Sequence, residues 1–215
     1  MRLKRLFSKV ATGIGYFLIF GVALYALAYF LPGYQPGFLT SKPLGNLFWR
    51  TVFFTHVGLG AVALSLGPFQ FSRQLRQRRV GLHRRLGKLY VFSILIASVA
   101  AFCAAWFAST GWVAAVGFAG LAIAWFYTTF RAYRAIRQGQ IRSHQEWMMR
   151  SYATTLSAVT LRIILPVELA VFQLPFSMAY PIVAWLCWIP NLIFVEWWLL
   201  RRNRVKPPML PGMAK

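Results

Sequence analysis

Acidic residues are almost missing from this chain: three Asp and Glu stand against 24 Lys and Arg, giving a formal net charge of +21 over 215 residues. Such an excess would suit a nucleic-acid-binding protein. However, the basic residues fall in clusters between long apolar runs, and 59% of all residues are hydrophobic. Apolar runs of about 18 residues or more are typical of membrane spans. We therefore interpret the charge as the positive-inside bias of a membrane protein, with lipids and no nucleic acid as partners.

Cysteine is also scarce, since Cys103 and Cys187 are the only two and both fall inside predicted spans. Their separation matches no zinc or redox motif, which favours buried thiols. The sequence also lacks a nucleophile–base pair, a phosphate-binding loop and a zinc motif, so it predicts no catalytic residue and no metal ligand. Neither half of the chain repeats the other, which disfavours a common transporter architecture.

Six apolar runs predict an all-α, polytopic helical bundle in the membrane. The predicted spans are 13–31, 47–71, 89–108, 112–130, 151–172 and 182–200. The first run exceeds the apolar length of a signal peptide, so we prefer an uncleaved span. The chain then divides into an N-terminus (1–12), a transmembrane domain (13–200) and a basic tail (201–215). Nearly all basic residues lie in the termini and in the loops 72–88 and 131–150, which places both termini in the cytoplasm.

The second span carries one face of small and polar residues. His56, Gly60, Ala63, Gly67 and Gln70 are spaced 4, 3, 4 and 3, and therefore share one side of a helix. In lipid, small residues belong where another helix approaches, and a histidine belongs in the bundle interior.

Two prolines predict interruptions within spans. Gly67-Pro68 is expected to break the second span near its cytoplasmic end, and Pro190-Asn191 is expected to do the same in the sixth. Glu196 precedes Arg201 by about one turn, so we expect it to pair with the basic residues at that end.

Arg162 lies roughly 18 Å along the fifth span from Arg150, because a helix rises about 1.5 Å per residue. An intramembrane arginine is costly and needs a partner. Glu168 follows on the same span and His56 lies at a comparable depth, so we expect His56, Arg162 and Glu168 to form a buried polar cluster. That cluster is either a structural ion pair with a hydrogen-bonded histidine, or a site for an anionic ligand or a proton relay.

Two further histidines lie at matched depth on the cytoplasmic side. His83 opens the third span beside Arg84, and His144 precedes the fifth span beside Arg142. Two imidazoles on two helices, with arginines for the propionates, are what a b-type haem needs. With three histidines in all, only one haem can be bis-histidine ligated. The alternative is that these histidines bond to backbone or lipid headgroups.

Motifs around the three histidines resemble a known family. They are His56-x-x-Leu59-Gly60, Gly67-Pro68-Phe69-Gln70-Phe71, His83-Arg84-x-Leu86-Gly87-x-Leu89-Tyr90 and His144-x-x-Trp147-Met148-x-Arg150-Ser151-Tyr152. They resemble domain-of-unknown-function family 2306, a family of predicted bacterial multi-pass membrane proteins. The resemblance implies an inner-membrane location and supplies no activity.

Three hypotheses follow from the sequence. The first is a small haem-binding or redox membrane protein that uses His83 and His144. The second is a non-enzymatic binder or transporter of a small anionic or lipidic molecule at His56, Arg162 and Glu168. The third is an accessory subunit of a larger membrane complex, or a homo-oligomer, in which the polar stripes are packing seams.

Overall fold

A computed structural model describes residues 2–34, 39 and 42–205, with side chains for 9–34, 39 and 42–204. The described residues form helices and no strands. The helices are α1 (Arg2–Ala28), α2 (Leu47–Phe71), α3 (Arg73–Arg78), α4 (Val80–Ala105), α5 (Trp112–Arg137), α6 (Ile141–Thr155), α7 (Ser157–Ala170), α8 (Phe176–Leu186) and α9 (Ile189–Val205). Residues 206–215, most of the predicted tail, and Gly37 lie outside the described ranges.

Six stretches of the described chain are long and apolar enough to cross a membrane. They are Lys9–Ala28, Leu47–Phe71, Val80–Ala105, Trp112–Arg137, Ile141–Ala170 and Phe176–Arg204. The predicted all-α membrane bundle with six spans is therefore confirmed. The last two spans are each built from two helices, α6 with α7 and α8 with α9.

Several helices continue beyond the predicted ends of their spans. α4 begins at Val80 rather than at 89, and α5 continues to Arg137 rather than ending at 130. α6 begins at Ile141, and α8 begins at Phe176 where the sequence predicted a turn. The physical reason is that hydropathy marks where apolar residues stop, whereas a helix continues with its arginines exposed.

The predicted break at Gly67-Pro68 is absent. Pro68 lies within α2, which runs unbroken to Phe71. The missing N–H falls in the last turn, where Ser72 closes the helix by bonding its backbone N–H to the Phe69 carbonyl. Pro190 lies in the first turn of α9, where a helix needs no N–H donor. The interruption of the sixth span comes just before it, between Leu186 and Ile189.

The fifth span is interrupted at Leu156, between α6 and α7. The hydroxyls of Thr154 and Thr155 both donate to the Ser151 carbonyl at 2.8 Å. Hydroxyls that bond to preceding carbonyls compete with the backbone ladder and bend helices. Asn191 of α9 braces the bend, because its amide donates to the Ala153 carbonyl at 3.2 Å and to the Thr160 hydroxyl at 3.0 Å.

The centre of the molecule is a four-helix bundle of α2, α4, α5 and α6. α2 packs on α4, α4 on α5, α5 on α6, and α6 on α2. α4 and α6 therefore face each other diagonally, as do α2 and α5. α1 packs on α2 and α7 outside this bundle, and α8 and α9 cover the other side. We call the end that carries α3 and the turn between α5 and α6 the basic end.

Candidate functional site

Glycines let the four central helices approach closely at the basic end. A Cβ on Gly67 of α2 would lie 1.8 Å from the Tyr152 ring of α6, so only glycine fits there. A Cβ on Gly87 of α4 would lie 3.1 Å from Oε1 of Gln70. Gln70 is buried in this contact, with 6% of its surface exposed. The small and polar face predicted for α2 thus lies against the other central helices, as small residues do in lipid.

Above this contact, hydroxyl groups bridge the diagonal between α4 and α6. The Tyr90 hydroxyl lies 3.0 Å from Ser151 Oγ and 3.1 Å from Thr155 Oγ1. Trp125 Nε1 of α5 donates to Thr155 Oγ1 at 2.8 Å, and Thr129 Oγ1 lies 2.7 Å from Ser151 Oγ. These side chains are buried. We call them the hydroxyl network, and each member has a hydrogen-bond partner within it.

The two histidines of the basic end lie on opposite sides of the bundle. His83 is in the first turn of α4 and His144 is in the first turn of α6, and both are half-buried. The charge of His144 acts on His83. His144 Nδ1 lies 2.9 Å from the Ala132 carbonyl of α5. A carbonyl only accepts, so Nδ1 carries the proton and Nε2 keeps its lone pair.

Several buried side-chain atoms have no hydrogen-bond partner among the described residues. They are Gln70 Nε2, His83 Nδ1, Ser93 Oγ, Thr110 Oγ1, Tyr152 OH, Ser157 Oγ and Glu168 Oε2. Three of them, on Gln70, His83 and Tyr152, come from α2, α4 and α6 and belong to the basic half of the bundle. A buried polar group without a partner costs about 1–3 kcal/mol. Because these three come from three neighbouring helices, the basic half of the bundle is a candidate ligand site.

Arginines surround this region, but they differ in their partners. Arg84 is exposed, and it acts electrostatically on His83 together with Arg76. Arg142, the other arginine predicted to serve a haem, is 3.4 Å from Glu146 and donates to Asn203 Oδ1 at 2.8 Å. Arg84 is therefore more available to a ligand than Arg142.

Glu196 pairs with a basic residue at this end, as predicted, although the partner is on another helix. Arg150 of α6 donates to both carboxylate oxygens of Glu196 on α9, at 2.5 and 2.8 Å. Two guanidiniums make cation–π contacts with the Trp147 ring. Arg150 Cζ lies 4.6 Å and Arg131 Cζ lies 4.8 Å from the ring centre. The sequence signal for the ion pair was weak, because the partners are distant in the chain and their facing depends on the packing of α9 against α6.

The predicted cluster in the other half of the bundle is only partly assembled. His56 is near enough to Arg162 to feel its charge, but its Nδ1 lies 3.2 Å from the Ala97 carbonyl and its ring meets Trp125 edge-on. Among the described residues, no ion pair joins Arg162 to Glu168. Glu168 is 5% exposed, and its Oε2 is one of the buried atoms without a partner named above.

Arg162 instead turns toward the outer end of α1. Its Nη1 donates to the Ala158 carbonyl at 2.9 Å, its Cζ lies 5.6 Å from the centre of the Tyr25 ring, and Tyr29 acts on it electrostatically. Tyr34 donates to the Tyr25 hydroxyl at 3.2 Å. The sequence analysis missed these tyrosines. Their placement at the end of the first span, the usual position of interfacial aromatics, was the available signal.

Among the described residues, no group of three or more His, Cys, Asp or Glu side chains could hold a metal ion. The candidate ligands at the basic end are the two histidines on diagonal helices, and two histidines can hold a b-type haem.

The fold and these polar sites define a multi-pass helical membrane protein built on a central four-helix bundle. The chain belongs to the family described as "Predicted membrane protein (DUF2306)", which matches residues 53–199, more than half of the chain. The match takes in the four central helices, all three histidines, Arg162 and Glu168. No curated protein and no solved structure matches the chain. The family description establishes a membrane protein and no activity.

Proposed function

We propose that this protein binds one haem b at the basic end, where His83 and His144 would hold its iron. The observation that carries the proposal is their placement on diagonal helices of a four-helix bundle, in the first turn of each and at the same end of the bundle. Cofactor sites in helical bundles are built in this way, from side chains on facing helices.

The ring nitrogens of both histidines suit this role. The bond from His144 Nδ1 to the Ala132 carbonyl orients the imidazole and leaves Nε2 as a ligand atom. A second hydrogen bond of this kind commonly fixes a ligating histidine and makes it more basic. His83 has a buried ring nitrogen without a partner among the described residues. If the His83 imidazole turns to bind the haem iron, this ring nitrogen would no longer be buried without a partner.

Gly87 lies one turn after His83 on the inner face of α4, where a Cβ would lie 3.1 Å from Oε1 of Gln70. Glycine is typical where a backbone approaches a ligand closely. Arg84 is placed to pair with a propionate, and the carboxamide of Gln70 and the phenol of Tyr152 supply polar contacts deeper in the bundle.

A bound b-type haem would supply one-electron chemistry, which is the basis for a redox function. The chain itself would hold the iron axially, neutralise the propionates and keep water away from the ring. The hydroxyl network closes the site toward the middle of the membrane. The basic clusters further support a cytoplasmic position for this end, and the family resemblance supports the bacterial inner membrane.

The test is the visible absorption spectrum of protein purified from haem-replete cells. We expect a Soret band that is lost in His83→Ala and in His144→Ala. His56→Ala is the matched control, because His56 is a buried histidine bonded to a carbonyl in the other half of the bundle, and its Soret band should persist. Gel filtration must show all three variants to be folded. A colourless wild-type protein, or a Soret band unchanged in both ligand variants, would refute the proposal.

A further inference from the structure

A groove of about 350 Å³ lies between α1 and α7, in the half of the bundle opposite to the basic end. Gly21, Val22 and Tyr25 line it from α1, and Leu161, Arg162 and Leu165 line it from α7. Gly21 and Tyr25 are exposed on the outer surface of the bundle, so the groove opens to the bilayer. The groove is apolar apart from one charged side chain, that of Arg162.

Among the described residues, no carboxylate pairs with that charge. The chain has three acidic residues in all, and they are Glu146, Glu168 and Glu196. Glu146 and Glu196 pair with Arg142 and Arg150 at the basic end. Glu168 makes no ion pair with Arg162 within the described part of the chain. A carbonyl and tyrosines are therefore the neighbours of Arg162, and they leave its full positive charge uncancelled.

A guanidinium inside the membrane keeps its charge, because its pKa is too high for it to lose a proton. Uncompensated charge at that depth is costly, and an anion removes most of the cost. Carboxylates match the planar guanidinium through two parallel hydrogen bonds. The groove beside Arg162 is lined with apolar side chains, which suits a hydrocarbon chain and not a hydrated ion.

We propose that this groove binds a single-chain carboxylate amphiphile of the fatty-acid class, with its carboxylate on Arg162 and its chain along Gly21 and Val22. The depth of Arg162 favours a single-chain carboxylate over a phospholipid. Its Cα lies eight residues before the end of α7 at Ala170, which is roughly 12 Å. A phospholipid phosphate is fixed at the interface by two chains and its headgroup, whereas a slim carboxylate can slide inward.

The site is independent of the haem proposal, since it shares no residue with the basic end. Its test uses the full chain in phosphatidylcholine nanodiscs, with palmitate as the probe and hexadecanol as the neutral analogue of equal chain length. A ligand that binds only the folded state raises its melting temperature in a saturable way. We expect palmitate to do so and hexadecanol to leave the melting temperature unchanged.

Two variants separate the groove from the charge. Gly21 lines the groove and a Cβ there would meet nothing within 4 Å, so Gly21→Leu should fill the groove without disturbing the fold. Gly13→Leu is the matched control, because Gly13 is an exposed glycine of the same helix with equal room and lies outside the groove. We expect Gly21→Leu and Arg162→Gln to raise the half-saturating palmitate fraction at least tenfold, and Gly13→Leu to leave it unchanged.

Each other outcome counts against the proposal. Equal shifts from palmitate and hexadecanol would mean that the charge plays no part. A normal palmitate titration in Gly21→Leu would place binding elsewhere, even if Arg162→Gln failed to fold. Saturable stabilisation by phosphatidylglycerol in place of palmitate would make the occupant a phospholipid and overturn the choice of a carboxylate.

Discussion

The hydroxyl network and the basic end of the same four-helix bundle differ in whether their buried polar groups have hydrogen-bond partners. In the network, Tyr90, Trp125, Thr129, Ser151 and Thr155 bond one another across three helices. At the basic end, Gln70, His83 and Tyr152 each keep a buried atom without a partner among the described residues. Both regions are polar and buried, and they differ only in whether the chain completes its own hydrogen bonds.

This difference separates structural polarity from candidate function. A satisfied network fixes the register of helices in lipid, where hydrophobic burial between helices contributes little. An unsatisfied group costs stability in every folded molecule, so it needs a separate explanation. A ligand that supplies the missing bonds is such an explanation, and it is the reason why we assign the haem to the basic end and not to the network.

The largest expected effect concerns the orientation of the bundle, because a reporter fusion gives an all-or-none result. The basic clusters predict that the basic end faces the cytoplasm and that both termini lie there. Fusions at Gly37 and at Arg79 should then report opposite sides of the membrane, with Arg79 inside. A cytoplasmic signal from both positions would contradict the six-span topology.

The next effect is the loss of close packing at the basic end. In Gly67→Ala the new methyl would lie 1.8 Å from the Tyr152 ring, and the helices must shift to relieve the overlap. Overpacking of this kind costs about 1–3 kcal/mol. Gly60 lies four residues after His56 on the same face of α2. A Cβ there would lie 3.9 Å from Trp125, which is an ordinary contact.

Gly60→Ala is therefore the matched control, and we expect its unfolding free energy to stay within about 0.5 kcal/mol of wild type or to rise through helix propensity. Unfolding in mixed micelles measures both. Tyr152→Leu should partly rescue Gly67→Ala. Equal losses for the two alanine variants would mean that the close contact of α2 with α6 does not exist.

The sequence predicted the parts of this site that depend on a single helix. The spacing from His56 to Gln70 gives one face whatever the helix packs against, and Gly67 and Gln70 are indeed buried on that face. Ser151 and Thr155 are four residues apart, so a single helix also places them on one face. The sequence did not predict that Tyr90 would join them, because that contact depends on which helices lie diagonally.

The ends of helices were harder to predict for a related reason. Val80 to Lys88 contains three basic residues and a histidine, so hydropathy excludes it from a span. The segment is nevertheless the first part of α4, because a helix continues past the membrane surface when its basic side chains reach water. Pro68 was also misread, because α2 continues past it for three residues although one backbone hydrogen bond is missing.

A smaller effect compares two tyrosines directly. Tyr90→Phe removes a hydroxyl that bonds Ser151 and Thr155, and we expect it to lower the unfolding free energy by about 1 kcal/mol. Tyr152→Phe removes a buried hydroxyl that has no partner among the described residues. Without a ligand it should be neutral or slightly stabilising, because an unpaired buried hydroxyl is a cost.

The two tyrosine variants differ from wild type by the same single oxygen atom, so each serves as the other's control in micelle unfolding experiments on ligand-free protein. With haem bound, Tyr152→Phe should lose part of the stabilisation that the ligand provides, while Tyr90→Phe should not. Losses of equal size in the ligand-free protein would remove the distinction between the network and the basic end.

The smallest expected effect is a coupling energy near zero between Arg162 and Glu168. Arg150 and Arg162 lie on the same span, but Arg150 has a carboxylate partner in Glu196 and Arg162 has a carbonyl and tyrosines. A buried ion pair at Arg162 and Glu168 would make the double variant less costly than the single ones, because each single change leaves the other charge unpaired. Without that pair, Arg162→Gln and Glu168→Gln should lower the unfolding free energy additively, to within about 0.5 kcal/mol.

Thermal or micelle unfolding of the two single variants and the double variant measures this coupling directly. A coupling of several kcal/mol would restore the predicted ion pair and would remove the charge argument for an anion in the groove beside α1.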